Sequence, residues 1–159
     1  MAVSRSENMR RIRSKNTAPE LAVRKLLREL GYTGYRIHRK VLPGKPDICF
    51  VGKRKAIFVH GCFWHGHTCG EGTRRPKSNE AYWSAKIEGN RSRDIAHLHE
   101  LGALGWSVLT LWECDLRDRS ALIAKIVAFM GVESSHSDRN DLRPTASANS
   151  PCDMGYHTN

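Results

Sequence analysis

"PDICFVGKRKAIFVH", residues 46–60, decides the fold. It contains two apolar runs, "PDICFV" and "KAIFVH", with only the polar "GKR" between them. Short apolar runs joined by a tight polar connection read as neighbouring strands buried on both faces. Two adjacent central strands are therefore expected here. Just upstream, "YRIHRKVL" (35–42) alternates apolar and basic residues, as a half-exposed strand does. Before it, "TAPELAVRKLLRELG" (17–31) sets Val23, Leu26, Leu27 and Leu30 at helical spacing, with Thr17 and Glu20 as a capping box and Gly31 as a stop, so a helix is expected over about 18–30. Downstream of the pair comes a polar stretch with Gly and Pro at 70–78. It is followed by the helical "NEAYWSAKIEGNRSRDIAHLHELG" (79–102) despite Gly89, the strand-like "WSVLTLW" (106–112) and a last helix in "RSALIAKIVAFMG" (119–131). The alternation predicts an α/β fold in which helices flank a mixed sheet.

A chain of 159 residues, 40% hydrophobic, suits one domain, expected over 1–131. Beyond Gly131 the composition turns to Ser, Asn, Asp and Pro with few aliphatics, and residues 132–159 are expected to form a disordered tail. The formal net charge is +10, and residues 1–55 alone carry fifteen basic and four acidic side chains. With the tail removed the balance is 24 basic against 12 acidic, or +12. Such a surface calls for a phosphate-rich partner. No window approaches the ~18 consecutive apolar residues of a membrane span, and "MAVSRSENMRRIRSKN" lacks the apolar stretch of a secretion signal, so an intracellular protein is expected. Five cysteines, an odd number in a reducing compartment, favour metal binding over disulfides.

The densest chemistry lies in "HGCFWHGHTCG", residues 60–70. Cys62, His67 and Cys69 are spaced by five and two residues, and Cys114 ends the strand "WSVLTLWEC", where a sheet could bring it alongside. Three sulfurs and one imidazole make a closed tetrahedral zinc set, with no open position for a substrate water. Such a zinc would be structural. The competing reading is that these are small buried hydrophobes. Asp47 follows Pro46 at the mouth of the first central strand, and Val59 and His60 end the second. If those strands are neighbours, Asp47, the Val59 carbonyl and His60 converge, and oxygen ligands of that kind suit Mg2+ beside a phosphate. Read alone, a Pro-Asp pair is equally a turn.

"SENMRRIRSKNTAPE", "LPGKPDICF", "IFVHGCFWHGHTC" and "GWSVLTLWECDL", in this order and at these separations, resemble the very short patch repair (Vsr) DNA mismatch endonuclease family over about residues 6–118. The resemblance implies a fold like the restriction endonucleases of the PD-(D/E)XK class. It also implies an Mg2+-dependent enzyme that nicks one strand beside the T of a T:G mismatch, such as arises from 5-methylcytosine deamination, leaving a 5′-phosphate. Asp47 matches the metal-bridging aspartate, with the Val59 carbonyl as its companion, and His65 matches the general base. His60 would contact the scissile phosphate region, and Asp94 in "RSRD" would orient His65. Glu20 falls at an acidic position near the metal waters, a role that competes with its capping box. Cys62, His67, Cys69 and Cys114 match the structural zinc ligands. Phe63, Trp64 and Trp83 match rings that wedge between base pairs, although three rings could equally be core. Unstacking is easiest where pairing is already weak, which gives mismatch selectivity a physical basis.

The resemblance further implies a monomer in the bacterial cytoplasm, on the nucleoid when bound to double-stranded DNA. Mismatch-repair proteins and a cytosine-5 methyltransferase system are its candidate associates. Two residues depart from the family pattern: Val59 stands where Thr can occur, and Gly66 occupies a position of the histidine cluster. Two rival classes share many of these features. A restriction-like nuclease would cut both strands of paired DNA, and a non-catalytic zinc-stabilised module would bind mismatches without needing Asp47 or His65.

Overall fold

The structure, a computed structural model, describes residues 15–131. The expected tail from 132, with Cys152 in it, and the first fourteen residues lie outside the described part. Chain order is helix α1 (Ala18–Glu29), strands β1 (Arg36–Ile37), β2 (Ile48–Phe50) and β3 (Lys55–His60), a one-turn helix α2 (Gly70–Thr73), the long helix α3 (Glu80–Ala103), strand β4 (Ser107–Trp112) and helix α4 (Arg119–Met130). The four strands form one mixed sheet in the order β1-β2-β3-β4, antiparallel except for the parallel β3–β4 pair. This is the expected α/β arrangement with helices around a mixed sheet.

The two runs in "PDICFVGKRKAIFVH" are adjacent, with Ile48 opposite Ile57 and Phe50 opposite Lys55. A 3-10 turn at Val51–Lys53 connects them, closed by Arg54 in the left-handed region at φ 49°. Alternation along these strands sorts the side chains. Ile48, Phe50, Ile57 and Val59 join Val23, Leu26 and Leu27 of α1, Leu111 of β4, and Leu122, Ile126 and Met130 of α4 in one hydrophobic core. Each such buried aliphatic contributes roughly 1.5–3 kcal/mol relative to exposure. α3 packs against β4; Ile87 and Leu101 are its buried aliphatic anchors, while Gly89 is exposed with open space around it. A glycine there weakens the helix without breaking it.

α1 begins as its sequence predicts. Thr17 caps it, its hydroxyl accepting from the Glu20 N–H at 3.4 Å, and Pro19 lies in the first turn. At the far end Gly31, at φ 84°, turns the chain so that the Tyr32 N–H reaches the Leu27 carbonyl at 2.9 Å. Lys55 donates to the carbonyls of Phe129 and Met130 at 2.6 and 3.0 Å, placing a cation on the negative end of α4.

One expectation needs correction. The strand expected over 35–42 is only Arg36–Ile37. His38 adopts φ 48° and breaks the extended backbone, Pro43 has no N–H for a ladder, and Gly44 and Lys45 also take positive φ, so 39–45 folds into turns. Within the polar stretch 70–78, Gly70–Thr73 makes a helical turn.

Candidate active site and metal centre

The sheet register builds the metal centre. Parallel pairing sets His60 opposite Trp112, so the two chains leave the sheet side by side and Cys62 and Cys114 meet two residues later. The Cys114 N–H donates to the Cys62 sulfur at 3.4 Å. Between Cys62 and Cys69 the chain makes tight turns: His65 N–H reaches the Gly61 carbonyl at 3.3 Å and His67 N–H the Cys62 carbonyl at 3.0 Å. Gly66 has φ 61°, and a Cβ on it would fall 2.7 Å from Ile87 of α3. The family's departure at this position is therefore a close contact with α3. Gly72 is tighter still, because a Cβ there would lie 2.0 Å from the His67 carbonyl oxygen.

One donor atom each from Cys62, His67, Cys69 and Cys114 lies within 4.8 Å of all the others. The His67 imidazole beside Cys69 holds its thiol down at about 6, within reach of thiolate at neutral pH. Burial pushes the Cys62 thiol up to about 12. The group is able to hold a metal ion, and the His67 ring is fixed by stacking on Trp112 at 4.3 Å.

The same loop presents His65. Its Nδ1 lies 2.6 Å from Asp94 Oδ2 on α3, which leaves Nε2 as the free nitrogen when Nδ1 carries the proton. The His60 ring stacks on His65 at 3.8 Å, and burial, then the His65 charge, lowers His60 to about 4, so it is neutral at physiological pH. His60, His65 and Asp94 form a second group with donor atoms within 4.8 Å.

Asp47 belongs to a third group, with Glu20 and His38. Its Oδ2 accepts the Val59 N–H at 2.8 Å, locking the carboxylate onto the neighbouring strand. Burial raises this carboxyl to about 6, the Val59 N–H opposes the rise, and the Glu20 charge adds to it. Glu20 is part of the cap of α1 and also faces the Asp47 group. Its Oε1 accepts from the Thr17 hydroxyl at 3.1 Å and its Oε2 from the Asn16 N–H at 2.9 Å, while the same carboxylate faces His38 at 3.6 Å. His38 was not anticipated. The signal was its place opposite Asp47 once Ile37 pairs with Ile48, where its N–H donates to the Asp47 carbonyl at 3.2 Å.

The convergence expected of Asp47, the Val59 carbonyl and His60 thus takes another form. Asp47 meets the Val59 N–H, and His60 groups with His65 and Asp94. All of them line one cleft of about 850 Å3, together with Glu20, His38 and the cations Lys15, Lys40, Lys45, Lys86 and Arg93.

Of the three aromatic residues singled out in the sequence, Trp64 lines the cleft. Phe63 and Trp64 pack edge to face at 5.1 Å, and Trp83 of α3 contacts both, at 5.7 and 6.0 Å. Trp83 is only 8% exposed and forms the buried support of this cluster, whereas the two loop rings are half-buried. Asn90 of α3 donates to the Trp64 carbonyl at 2.7 Å, and Lys86 lies 5.9 Å from the Trp64 ring centre.

The profile of the family described as DNA mismatch endonuclease Vsr matches residues 2–71. The chain is 54% identical over 118 residues to the type II nicking enzyme V.XorIIP of Xanthomonas oryzae pv. oryzae, spanning 74% of this chain and 85% of that one. It is 44% identical over 116 residues to the type II nicking enzyme V.NmeAIP of Neisseria meningitidis serogroup A, spanning 73% and 81%. To the DNA mismatch endonuclease Vsr of Escherichia coli it is 41% identical over 119 residues, spanning 75% of each. The chain belongs to the Vsr DNA mismatch endonuclease family.

Proposed function

We propose that this protein is a bacterial endonuclease that nicks one strand of double-stranded DNA beside the T of a T:G mismatch, by Mg2+-dependent hydrolysis that leaves a 5′-phosphate. The observation that carries the reading is the coincidence in one cation-lined cleft of the Asp47–Glu20 carboxylate pair, the His65–Asp94 pair and the loop bearing Phe63 and Trp64. A nuclease fold follows from family membership, and the sheet with a carboxylate at its strand mouth fits the PD-(D/E)XK class.

The residues suit a divalent ion: two carboxylates are drawn together, one of them raised by burial, and the Val59 carbonyl lies on a strand lining the same cleft. Magnesium held by Asp47, with the Val59 carbonyl, would polarise the scissile phosphate and neutralise the leaving 3′-oxygen. His65 takes the proton from the attacking water, and Asp94 holds the ring so that Nε2 is the base. Neutral His60, stacked on it, offers a ring nitrogen to the phosphate without competing for the proton. Lys15, Lys40, Lys45, Lys86 and Arg93 neutralise the DNA backbone along the cleft.

Zinc suits Cys62, His67, Cys69 and Cys114, whose three sulfurs and one imidazole fill a tetrahedral set. Its role is structural: it braces the loop from which Phe63 and Trp64 enter the duplex at the weakened pair, with Trp83 behind them. The protein acts as a monomer in the cytoplasm. A cytosine-5 methyltransferase system creates the need for it, and mismatch-repair proteins are its functional neighbours. Among the described residues no helix is long and apolar enough to cross a membrane.

The test is a strand-resolved cleavage assay on duplexes that differ only in T:G against T:A, in varied flanking contexts, with Mg2+ and with EDTA. A Mg2+-dependent nick on the T strand of the mismatch alone is expected. Equal cutting of paired DNA would move the protein to the restriction class, and tight binding without cutting would leave only a mismatch-binding module.

A further inference from the structure

His38 sits between two carboxylates without being tied to either. Its Nε2 lies 3.6 Å from Glu20 Oε2 and its Nδ1 3.9 Å from Asp47 Oδ1. Both separations exceed hydrogen-bond range. Nε2 is buried and has no hydrogen-bond partner among the described residues. The carboxylates are held from elsewhere: Asn16 and Thr17 fix Glu20, and Val59 fixes Asp47 through Oδ2, leaving Oδ1 turned toward the ring. The backbone that carries the ring is fixed too. His38 leaves the β1 ladder with a left-handed φ of 48°, and its own N–H is anchored on the Asp47 carbonyl.

A buried nitrogen with no partner, facing one buried and one half-buried carboxylate that repel each other, is an unusual arrangement for an apoprotein. One cation bound by all three residues removes both defects. We propose that His38 supplies a nitrogen ligand to the divalent ion held by Glu20 and Asp47, so that the site binds manganese and cobalt in preference to magnesium. The inference rests on the carboxylate pair being the metal site proposed above. Magnesium favours oxygen ligands and keeps several waters, whereas an imidazole adds affinity along the series from manganese to cobalt.

The test uses the full chain with its Cys/His centre loaded with zinc. Manganese is added and pulsed electron paramagnetic resonance reads the nuclei bonded to it; calorimetry follows Mg2+, Mn2+ and Co2+. The wild-type spectrum is expected to show nitrogen coupling that changes when the histidines carry 15N, that survives His65→Ala and that disappears in His38→Asn. Asparagine is chosen because it tolerates a left-handed backbone. Cobalt affinity should fall about tenfold or more in His38→Asn, with magnesium affinity within about twofold of wild type. Manganese bound without nitrogen coupling in the wild type would overturn His38 as a ligand and leave the carboxylate site standing, a result independent of whether any variant folds. Coupling that persists in His38→Asn, or unchanged cobalt affinity there, would overturn it equally. Failure of the wild type to bind any of the three ions would overturn the carboxylate metal site and this inference together.

Discussion

The two best-defined groups of metal-ligating side chains are built in opposite ways. Cys62, His67, Cys69 and Cys114 form a complete set in which every position around an ion is filled by the protein. Glu20, His38 and Asp47 form an incomplete set on the wall of a cleft, with room for water and a phosphate. The complete set lies where two parallel strands part, and its loop is pressed against α3 by Gly66. The incomplete set joins α1 to the β1–β2 pair, and its carboxylates are held by the Val59 and Asn16 N–H groups and the Thr17 hydroxyl. One arrangement stabilises a shape and the other leaves a reaction possible. Loss of the first should therefore register in folding, and loss of the second in turnover.

The strongest way to break that contrast is to strip the complete set. Cys69→Ser, or zinc chelation, is expected to abolish the cooperative thermal transition, since a structural zinc carries about 10–16 kcal/mol of apparent binding energy in small domains. Unchanged zinc content and melting temperature in the variant would show that the set is not structural. Next, Asp47→Ala is expected to lower nicking of a T:G duplex by about 10^3-fold or more while the melting temperature and DNA affinity stay close to wild type. Retained nicking would remove Asp47 from the chemistry.

His65→Ala sharpens the contrast, because His65 lies between Cys62 and His67 on the loop yet lines the cleft, where it is proposed as the base. A loss of about 10^2 to 10^4 in single-turnover rate is expected, with folding intact; a melting temperature that fell with the rate would make it a loop-stabilising residue instead. Trp64→Ala should reduce the preference for T:G over T:A by roughly tenfold to a hundredfold, the equivalent of the ~1–3 kcal/mol of one base–aromatic stack. Equal loss of activity on both duplexes would show general DNA contact rather than wedging. Smallest is Lys55→Met, which touches neither set. Removing its two bonds to the end of α4 should destabilise the protein by about 1.5–3 kcal/mol, read as a drop of several degrees in melting temperature, with nicking unaffected at permissive temperature.

Much of this was legible in the sequence because the signals were local or followed from a single register. Thr17, Glu20 and Gly31 bounded α1, and apolar runs flanking "GKR" gave the β2–β3 pair. Cys62, His67 and Cys69 announced themselves by spacing, and Cys114 by ending a strand that a sheet could bring alongside, as the β3–β4 pairing does. What escaped depended on combining registers or on the direction a side chain takes. His38 becomes part of the site only when β1 pairs with β2 as it does, and a left-handed residue there also ends the strand that alternation had extended to 42. The contact between Asp47 and Val59 runs through the Val59 N–H, a bond that depends on the direction the Asp47 side chain takes at the mouth of β2. Trp83 could be placed on a helix but not on a face of it, and its burial beneath Phe63 and Trp64 is a fact of packing.

The bond from Cys114 to Cys62 spans 52 residues. During synthesis the aromatic loop and His65 leave the ribosome well before the strand that completes their anchor, with the whole of α3 made in between. The last donor atom of the Cys/His group arrives only after α3 and β4, so the proposed site is assembled late, and a chain arrested before Cys114 carries Glu20, Asp47, His60, His65 and Asp94 without the fourth donor of that group.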